Sequence, residues 1–352
     1  MESAAPRARC NILTSHLSAV RKHPLGISTA ANSSSLGRSQ WIALRPSNGR
    51  SRISRSSVCS SAPTMPDSPG PQVRLKQLGQ NPKHALGQNF LLDEQVVEDI
   101  LKAADIQPGD KILEIGPGTG VLTRGLLEAG ANVIAIEKDT GLAAGLQEQY
   151  KDCPQLEVIC ADFMRWRKKE QLLPEESERY KVVANLPYNI TSDALKRMLP
   201  MGDHISDLVL MVQFEAAERL ISSSAGDGDY RPISVRVHFY SEPSFVRKVD
   251  KELYFPPPAV DGAIVGFKLR EIKDTPQVDK TFFFRLVGAA FTSKRKMVRN
   301  NLKSCGFEAS EVGAALKKMG ISETARPNEL TWQQYIELMG HLQGMSKQEE
   351  PI

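Results

Sequence analysis

Four short apolar runs, each followed by a turn, constrain the fold of this chain more than any other feature. They are KILEI, ANVIAIE, LEVIC and YKVVAN, and all lie between Lys111 and Asn185. The first run is followed by VLTRGLLEAG, which has helical spacing and ends in glycine. Strands that alternate with helices predict a parallel sheet covered by helices on both faces. We therefore predict an α/β fold.

A glycine or a polar residue stands at or just after the end of each predicted strand. These residues are Gly116, Glu137, Asp162 and Asn185. In an open parallel sheet, ligands bind outside the carboxyl ends of the strands. Four such residues at four successive strand ends therefore predict one ligand site rather than four unrelated loops.

The first of these strand ends opens a glycine-rich loop, GPGTG, at residues 116–120. Glycines allow the backbone to approach a ligand closely, and Glu137 has the offset of an acid that binds a ribose diol. Both features fit NAD as well as S-adenosylmethionine. The G-x-G-x-G spacing favours S-adenosylmethionine, and so does Glu114, whose carboxylate would repel a pyrophosphate. Asp162 would then accept a hydrogen bond from the adenine amine of that ligand, with a helix N-cap as the alternative role.

The fourth run leads into NLPY at residues 185–188. The exocyclic amine of a nucleobase is a poor nucleophile because its lone pair is delocalised into the ring. The Asn185 side-chain oxygen and a backbone carbonyl, directed inward by Pro187, can both accept from such an amine. Tyr188 can supply a flat face on which an extruded base stacks. An ordinary turn with a packed tyrosine is the alternative.

With these motifs the chain resembles a known family, the S-adenosylmethionine-dependent adenine N6-dimethyltransferases of small-subunit ribosomal RNA. The resemblance runs from about Gln80 to about Leu338. Its motifs are KHALGQNFLLD, EIGPGTGVLT, IEKD, ADFM, NLPYNI, MVQFEAAERL, FPPPAVDGAIV and AAFTSKRKMVRNNL. The family implies a Rossmann-like class I methyltransferase domain, expected over residues 66–270. It also implies a small helical C-terminal domain, expected over residues 271–345 and followed by a tail over residues 346–352.

The resemblance also implies roles for individual residues. Cofactor contacts fall on Asn89, Leu91, Gly116, Glu137, Asp162 and Asn185. The target-adenine motif, taken as catalytic, falls on Asn185, Leu186, Pro187 and Tyr188. The implied substrate is a pair of adjacent adenines in a hairpin near the RNA 3′ end, each methylated twice, in a pre-ribosomal particle. Two departures from the family concern loops: Arg231-Pro232 replaces the usual Gly-Arg, and Gly262 stands where serine is common.

A basic run, SKRKMVRNN, occupies residues 293–301. It contains Lys294, Arg295, Lys296 and Arg299. From Met1 to Met65 there are nine basic residues and one acidic residue, a net charge of +8. The whole chain has a net charge of +4, so the remainder has a net charge of −4. A basic cluster in an otherwise acidic region predicts contacts with RNA phosphates. A solvated helix end is the alternative.

The basic N-terminal segment is rich in serine, alanine and arginine and has no apolar core long enough for a secretory signal. Residues 1–65 are therefore predicted to be a disordered transit peptide and linker. Serine clusters favour the chloroplast, with the mitochondrion as the alternative. No stretch approaches the roughly 20 apolar residues of a membrane span. The five cysteines have no metal-ligand spacing, so we expect reduced thiols, no metal and no membrane contact. We also expect a monomer.

Two other functions compete with this interpretation. An amino-methyltransferase acting on DNA adenine or protein glutamine would have a similar site, but such enzymes usually carry Pro-Pro-Tyr where this chain has Leu186-Pro187-Tyr188. A non-catalytic assembly or transcription factor could retain the fold. The complete set of cofactor residues argues against lost cofactor binding, although it leaves a second role in ribosome assembly open.

Overall fold

The computed structural model describes residues 70–166, 179–223 and 226–346. The predicted transit peptide and linker, and the tail beyond Ser346, lie outside these residues. Within the described ranges no helix combines the length and apolarity needed to cross a bilayer.

Between Lys111 and Asn185 the strands follow the order that the sequence predicts. The strands are β1 (Phe90–Leu91), β2 (Lys111–Ile115), β3 (Asn132–Glu137), β4 (Leu156–Cys160), β5 (Tyr180–Asn185), β6 (Ile205–Gln213), β7 (Ser241–Val249), β8 (Tyr254–Phe255) and β9 (Gly262–Leu269). The helices are α1 (Pro71–Gln77), α2 (Glu94–Ala103), α3 (Val121–Glu128), α4 (Thr140–Gln149), α5 (Thr191–Met198), α6 (Phe214–Ile221), α7 (Pro232–Tyr240), α8 (Lys280–Ala290), α9 (Val298–Asn301), α10 (Ala309–Lys318) and α11 (Trp332–Ser346).

The main sheet has the strand order β4-β3-β2-β5-β6-β9-β7. Neighbouring strands from β4 to β6 are parallel, whereas β9 is antiparallel to both β6 and β7. The four strands predicted from the apolar runs are β2, β3, β4 and β5. The strand order changes direction at β2, so the carboxyl ends of β2 and β5 flank the crevice where ligands bind in such sheets. The predicted Rossmann-like fold is confirmed.

Both faces of the sheet are buried, and this explains why its central strands are mostly apolar rather than alternating. In a strand, successive side chains point to opposite faces. Ile112 and Leu113 of β2 belong to two different hydrophobic clusters, and so do Val182 and Val183 of β5. Helix α3 covers one face, where Leu126 is buried in the same cluster as Ile112.

The C-terminal helices share the hydrophobic cluster on the opposite face of the sheet, and α8 and α11 contact α7. Leu286 of α8, Leu316 of α10 and Leu338 of α11 share a hydrophobic cluster with Leu210 of β6 and Val265 of β9. These helices follow the end of β9, in agreement with the position of the predicted C-terminal helical region. The division of the chain into domains at residues 270 and 271 stays a prediction.

A second, two-stranded sheet brings the N-terminal segment to the ligand edge of the main sheet. Strands β1 and β8 are antiparallel, with Phe90 opposite Phe255 and Leu91 opposite Tyr254. Strand β1 is thereby fixed by a partner that lies more than 160 residues away in sequence. The motif GQNFL is consequently held beside the strand ends of the main sheet.

Candidate active site

A cavity of about 270 Å³ opens at the carboxyl ends of the parallel strands. All residues predicted for the cofactor and for the target adenine line it. They are Asn89, Leu91, Gly116, Glu137, Asp162, Asn185, Leu186, Pro187 and Tyr188. Because these residues come from five separate segments, the fold assembles one site from motifs that are far apart in sequence. No group of three or more potential metal ligands occurs in the described ranges.

The glycine-rich loop passes beneath the N-terminal segment. Gly116 and Gly118 both have positive φ, at +70° and +60°, a region that side chains strongly disfavour. A Cβ on Gly118 would also lie only 3.1 Å from the Phe90 ring. The loop therefore needs glycine at residue 118 for its conformation and for its contact with β1.

Glu137 lies at the end of β3, and the residue is buried, with 5% of its surface exposed. Oε2 accepts a hydrogen bond from the Gly118 N–H at 3.0 Å, and Oε1 accepts one from the Asp139 N–H at 2.7 Å. Burial raises the pKa of Glu137, and these two N–H groups oppose that rise. Each carboxylate oxygen has a second lone pair, so the group can still receive two ribose hydroxyls, as predicted.

Glu114 is the most deeply buried acid that lines the cavity, at 1% exposure. Its Oε2 accepts a hydrogen bond from Thr123 Oγ1 at 2.7 Å, whereas its Oε1 is buried without a partner. Burial raises the pKa of Glu114 to about 8. An unpaired buried carboxylate is costly, and a ligand that carries positive charge would offset that cost. S-adenosylmethionine, with its sulfonium and ammonium groups, fits this requirement.

The raised pKa of Glu114 predicts pH-dependent cofactor binding. A bound cation lowers the pKa of a nearby acid, so binding below the pKa of the free protein must release a proton. Affinity for S-adenosylmethionine should therefore increase with pH towards about 8 and level off above it. Calorimetry across a pH series measures this, and Glu114→Gln should both weaken binding and flatten the profile. An equally steep profile in Glu114→Gln would contradict the role of Glu114.

Asp162 lies two residues after β4 and has two partners. Its Oδ1 accepts a hydrogen bond from the Met164 N–H at 2.9 Å, and its Oδ2 forms an ion pair with Lys138 at 3.0 Å. Partial burial raises the pKa of Asp162, but Lys138 and the Met164 N–H lower it by more, so the carboxylate is ionised. Asp162 thus caps a turn at residues 163–165, and no helix begins there among the described residues, so the alternative role as a helix N-cap is not observed. Its remaining lone pairs leave the predicted contact with the adenine amine available.

Asn185 is oriented by the N-terminal segment. Its Nδ2 donates a hydrogen bond to the Asn89 backbone carbonyl at 3.0 Å. This bond distinguishes the two ends of the amide, because it assigns the amine group to Asn89 and leaves Oδ1 as the acceptor. The side chain can therefore accept from a target amine in the cavity, as the sequence predicts. Asn89, predicted only as a cofactor contact, also positions Asn185.

The rest of the NLPY motif combines packing with access to the cavity. Leu186 is buried in the main hydrophobic cluster, although it also lines the cavity. Pro187 packs against Gly87, where an added Cβ would lie 3.3 Å from the Pro187 Cβ. Tyr188 is half-buried and lines the cavity. The motif therefore combines residues that are fixed by packing with residues that line the cavity.

The whole of this site belongs to the region that matches a known protein family. Residues 79–343 match the family described as ribosomal RNA adenine dimethylase. The chain belongs to this family. This match confirms the predicted family, the predicted enzyme class and the predicted cofactor, S-adenosylmethionine.

Individual relatives agree with the family assignment. A chloroplastic ribosomal RNA small subunit methyltransferase of Arabidopsis thaliana is 39% identical over 274 residues, which cover 75% of this chain and 80% of that protein. Ribosomal RNA small subunit methyltransferase A of Protochlamydia amoebophila is 39% identical over 270 residues, which cover 76% of this chain and 94% of that protein.

Solved structures show the same fold. A dimethyladenosine transferase from Plasmodium falciparum superposes with a TM-score of 0.62 at 23% identity, over 73% of this chain and 98% of that chain. The 23S rRNA methyltransferase ErmE superposes with a TM-score of 0.56 at 29% identity, over 72% of this chain and 100% of that chain.

Residues of this ribosomal RNA adenine dimethylase that the sequence analysis missed hold the N-terminal segment in place. Lys83 forms an ion pair with Asp139 at 2.7 Å, and Gln88 donates a hydrogen bond to the same carboxylate at 3.1 Å. Asp139 also caps α4 through the Gly141 N–H at 3.0 Å. Lys83 and Gln88 lie more than 50 residues before Asp139 in the sequence. The one sequence signal for this contact was the position of Asp139, two residues after the predicted ligand residue Glu137.

The structure divides the basic run into two parts. Lys294 Nζ donates to the Gly228 carbonyl at 2.5 Å, and Arg299 pairs with Glu323 at 3.5 Å. Arg295 and Lys296 are exposed on the loop between α8 and α9 and form no ion pair with any described residue. These residues do not line the cavity. The predicted phosphate contacts stay a prediction, which Arg295 and Lys296 suit best because their charges are uncompensated.

Proposed function

We propose that this protein transfers methyl groups from S-adenosylmethionine to N6 of two adjacent adenines near the 3′ end of small-subunit ribosomal RNA. The observation that supports this most is that Glu114, Glu137 and the NLPY motif all line one cavity. A cationic methyl donor and a flat amine acceptor can meet there. Relatives named for the ribosomal RNA small subunit support the choice of RNA.

The residues of the chain divide the work as follows. Glu137 holds the ribose hydroxyls, Glu114 compensates the positive charge of the donor, and Asp162 accepts from its adenine amine. The donor supplies an electrophilic methyl group on a sulfonium. Asn185 Oδ1 and the Leu186 backbone carbonyl accept hydrogen bonds from the target amine, which bring its lone pair towards tetrahedral geometry. Tyr188 stacks on the extruded base, and Pro187 fixes the turn that aims the carbonyl.

This arrangement needs no general base before the attack. The amine nitrogen becomes acidic once it carries the new methyl group, so water or a backbone carbonyl can take its proton. The rate gain then comes from orientation and from hydrogen bonds that strengthen in the transition state. The same site must accept the monomethylated amine, because a second methyl group follows.

Small-subunit particles that lack these methyl groups provide the test. Incubation with the protein and S-adenosylmethionine, followed by separation of mono- and dimethyladenine, should give two dimethyladenines per particle. Transfer that stops at one methyl group per adenine would contradict the dimethylation. The similarity to a 23S rRNA methyltransferase makes large-subunit RNA the natural second substrate. Methylation of that RNA alone would favour this second candidate.

The proposed compartment is the chloroplast, with the mitochondrion as the alternative. The support comes from the serine-rich, basic segment over residues 1–65 and from the similarity to a chloroplastic relative. The proposed substrate is a pre-ribosomal particle, and the protein is proposed to act as a monomer. Import into isolated chloroplasts and mitochondria compares the two compartments directly.

Phosphate contacts by the loop between α8 and α9 lead to a prediction about salt. Arg295→Gln with Lys296→Gln should weaken particle binding and reduce the slope of log affinity against log salt by roughly 0.7–0.9 per lost contact. Affinity for S-adenosylmethionine should stay the same. The matched control is Lys317→Gln with Lys318→Gln, two exposed residues at the end of α10. Equal slopes in both double variants would show that Arg295 and Lys296 are only solvated.

A further inference from the structure

Two tyrosine hydroxyls meet inside the protein beside the proposed target site. The hydroxyls of Tyr188 and Tyr254 are both buried, and neither makes a well-aligned hydrogen bond to a described residue. They are nevertheless close enough to interact. Burial raises the pKa of both phenols, and contact with the Tyr254 hydroxyl opposes that rise for Tyr188. The two hydroxyls therefore lie close together without an aligned hydrogen bond between them.

Gly262 is the residue that leaves room for this contact. It is the first residue of β9, and a Cβ built on it would overlap the Tyr254 hydroxyl and lie 3.4 Å from the Tyr188 hydroxyl. Its backbone φ is not in the positive range, so the requirement is for space and not for conformation. In this chain the Tyr254 hydroxyl fills the volume that a serine side chain would need.

Tyr254 itself is firmly held. It is 2% exposed, belongs to β8 and lies opposite Leu91 of β1. The neighbouring Leu92 N–H donates to the Leu253 carbonyl at 2.8 Å, which extends this pairing by one hydrogen bond. Backbone hydrogen bonds thus hold Tyr254 in a paired strand, whereas Tyr188 lies in the turn that follows β5.

We propose that Tyr254 is a positioning residue for the methylation, and that its role requires glycine at position 262. The Tyr254 hydroxyl supports the Tyr188 hydroxyl from behind and so fixes the tilt of the ring on which the target adenine stacks. This inference rests on the proposed function, because it assigns Tyr188 to base stacking. A ring that is held before the substrate arrives loses less freedom on binding, and this favours the reactive geometry.

A double-mutant cycle tests the proposal. Gly262→Ala should lower the single-turnover methylation rate by about tenfold, since overpacking of this size displaces side chains. Tyr254→Phe should lower it only a few-fold. The combined variant should be close to Tyr254→Phe alone, because the atom that the added methyl group displaces is then absent. The KM for RNA and the affinity for S-adenosylmethionine should change little, since Glu137 and the outer RNA contacts are untouched.

Gly266→Ala is the matched control. Gly266 is also a buried glycine of β9, and its added Cβ would meet Ser244 Oγ at 2.8 Å instead of a tyrosine. Its effect should be the same with and without Tyr254→Phe. Thermal unfolding of every variant separates misfolding from lost positioning, and Tyr254→Phe alone adds no atoms that could prevent folding.

The outcomes of this cycle can be told apart. If Gly262→Ala costs the same factor in both backgrounds, or if Tyr254→Phe leaves the rate unchanged, Tyr254 does not position Tyr188. The unmodified protein is assayed alongside. If it transfers no methyl groups, the proposed function fails and the inference falls with it. An active unmodified protein with additive substitutions contradicts only the role of Tyr254 and Gly262.

Discussion

Replacing Asn185 with alanine is expected to reduce the methylation rate by roughly 10²–10³-fold, the loss typical of removing one preorganised hydrogen-bond partner from a transition state. Binding of RNA should weaken far less. The reason is that the Oδ1 acceptor acts on the amine most strongly as the nitrogen leaves the plane of the ring. Single-turnover methylation with saturating RNA and cofactor measures the rate, and equilibrium binding to the same particle measures affinity.

Two further variants make the test of Asn185 specific. Asn185→Asp keeps an acceptor but loses the N–H that is donated to the Asn89 carbonyl, so it reports on orientation separately from acceptance. Asn132→Ala is the matched control, because Asn132 begins β3 at the opposite edge of the sheet. A rate for Asn185→Ala within a few-fold of that for Asn132→Ala would show that the Asn185 side chain is not catalytic.

The ligand edge of the sheet was predictable because it depends on local rules. Apolar runs of strand length define β2, β3, β4 and β5, and parallel strands carry their carboxyl ends to the same edge. The four residues at these ends therefore had to lie near one another once the alternation was recognised. No knowledge of individual side-chain contacts was needed for that step.

The contacts that orient the site were not predictable in the same way. The Asn89 carbonyl reaches Asn185 across 96 positions of sequence. The hydroxyls of Tyr188 and Tyr254 lie close together although the two residues are 66 positions apart in sequence. Such contacts depend on long-range pairing, which periodicity and composition do not determine. Gly262 was visible as a departure from the family, but its physical role required the position of the Tyr254 hydroxyl.

The basic run shows a third kind of limit. Its charges were visible in the sequence, yet their partners were not. Lys294 donates to the Gly228 carbonyl, and Arg231 donates to the same carbonyl at 2.6 Å. Sequence spacing alone gave no reason to associate Arg231 with Lys294, since 63 residues separate them. The folded loop therefore adds one cation to the neighbourhood of the run, while Glu323 partly compensates Arg299.

Tyr188 offers the second large effect. Tyr188→Ala should lower the methylation rate by roughly 5–150-fold, which corresponds to the 1–3 kcal/mol that stacking of one base on an aromatic ring contributes. Tyr188→Phe should stay within about tenfold of the unmodified protein, because the stacking face survives. The difference between the two variants isolates the ring from the hydroxyl.

The Tyr188→Leu variant distinguishes stacking on the target base from simple packing. If Tyr188 only fills space beside Tyr254, Tyr188→Ala should lower the thermal unfolding temperature, and Tyr188→Leu should restore both stability and rate. If the ring holds the target base, Tyr188→Leu should restore stability but not the rate.

The product distribution gives a second test of stacking, because mono- and dimethyladenine can be resolved in the same single-turnover samples. The lone pair of the monomethylated base must be aimed again before the second transfer, and a poorly held base makes that step slow. We therefore expect monomethyladenine to accumulate in Tyr188→Leu and in Tyr188→Ala. A Tyr188→Ala variant as fast as the unmodified protein would rule out the stacking role.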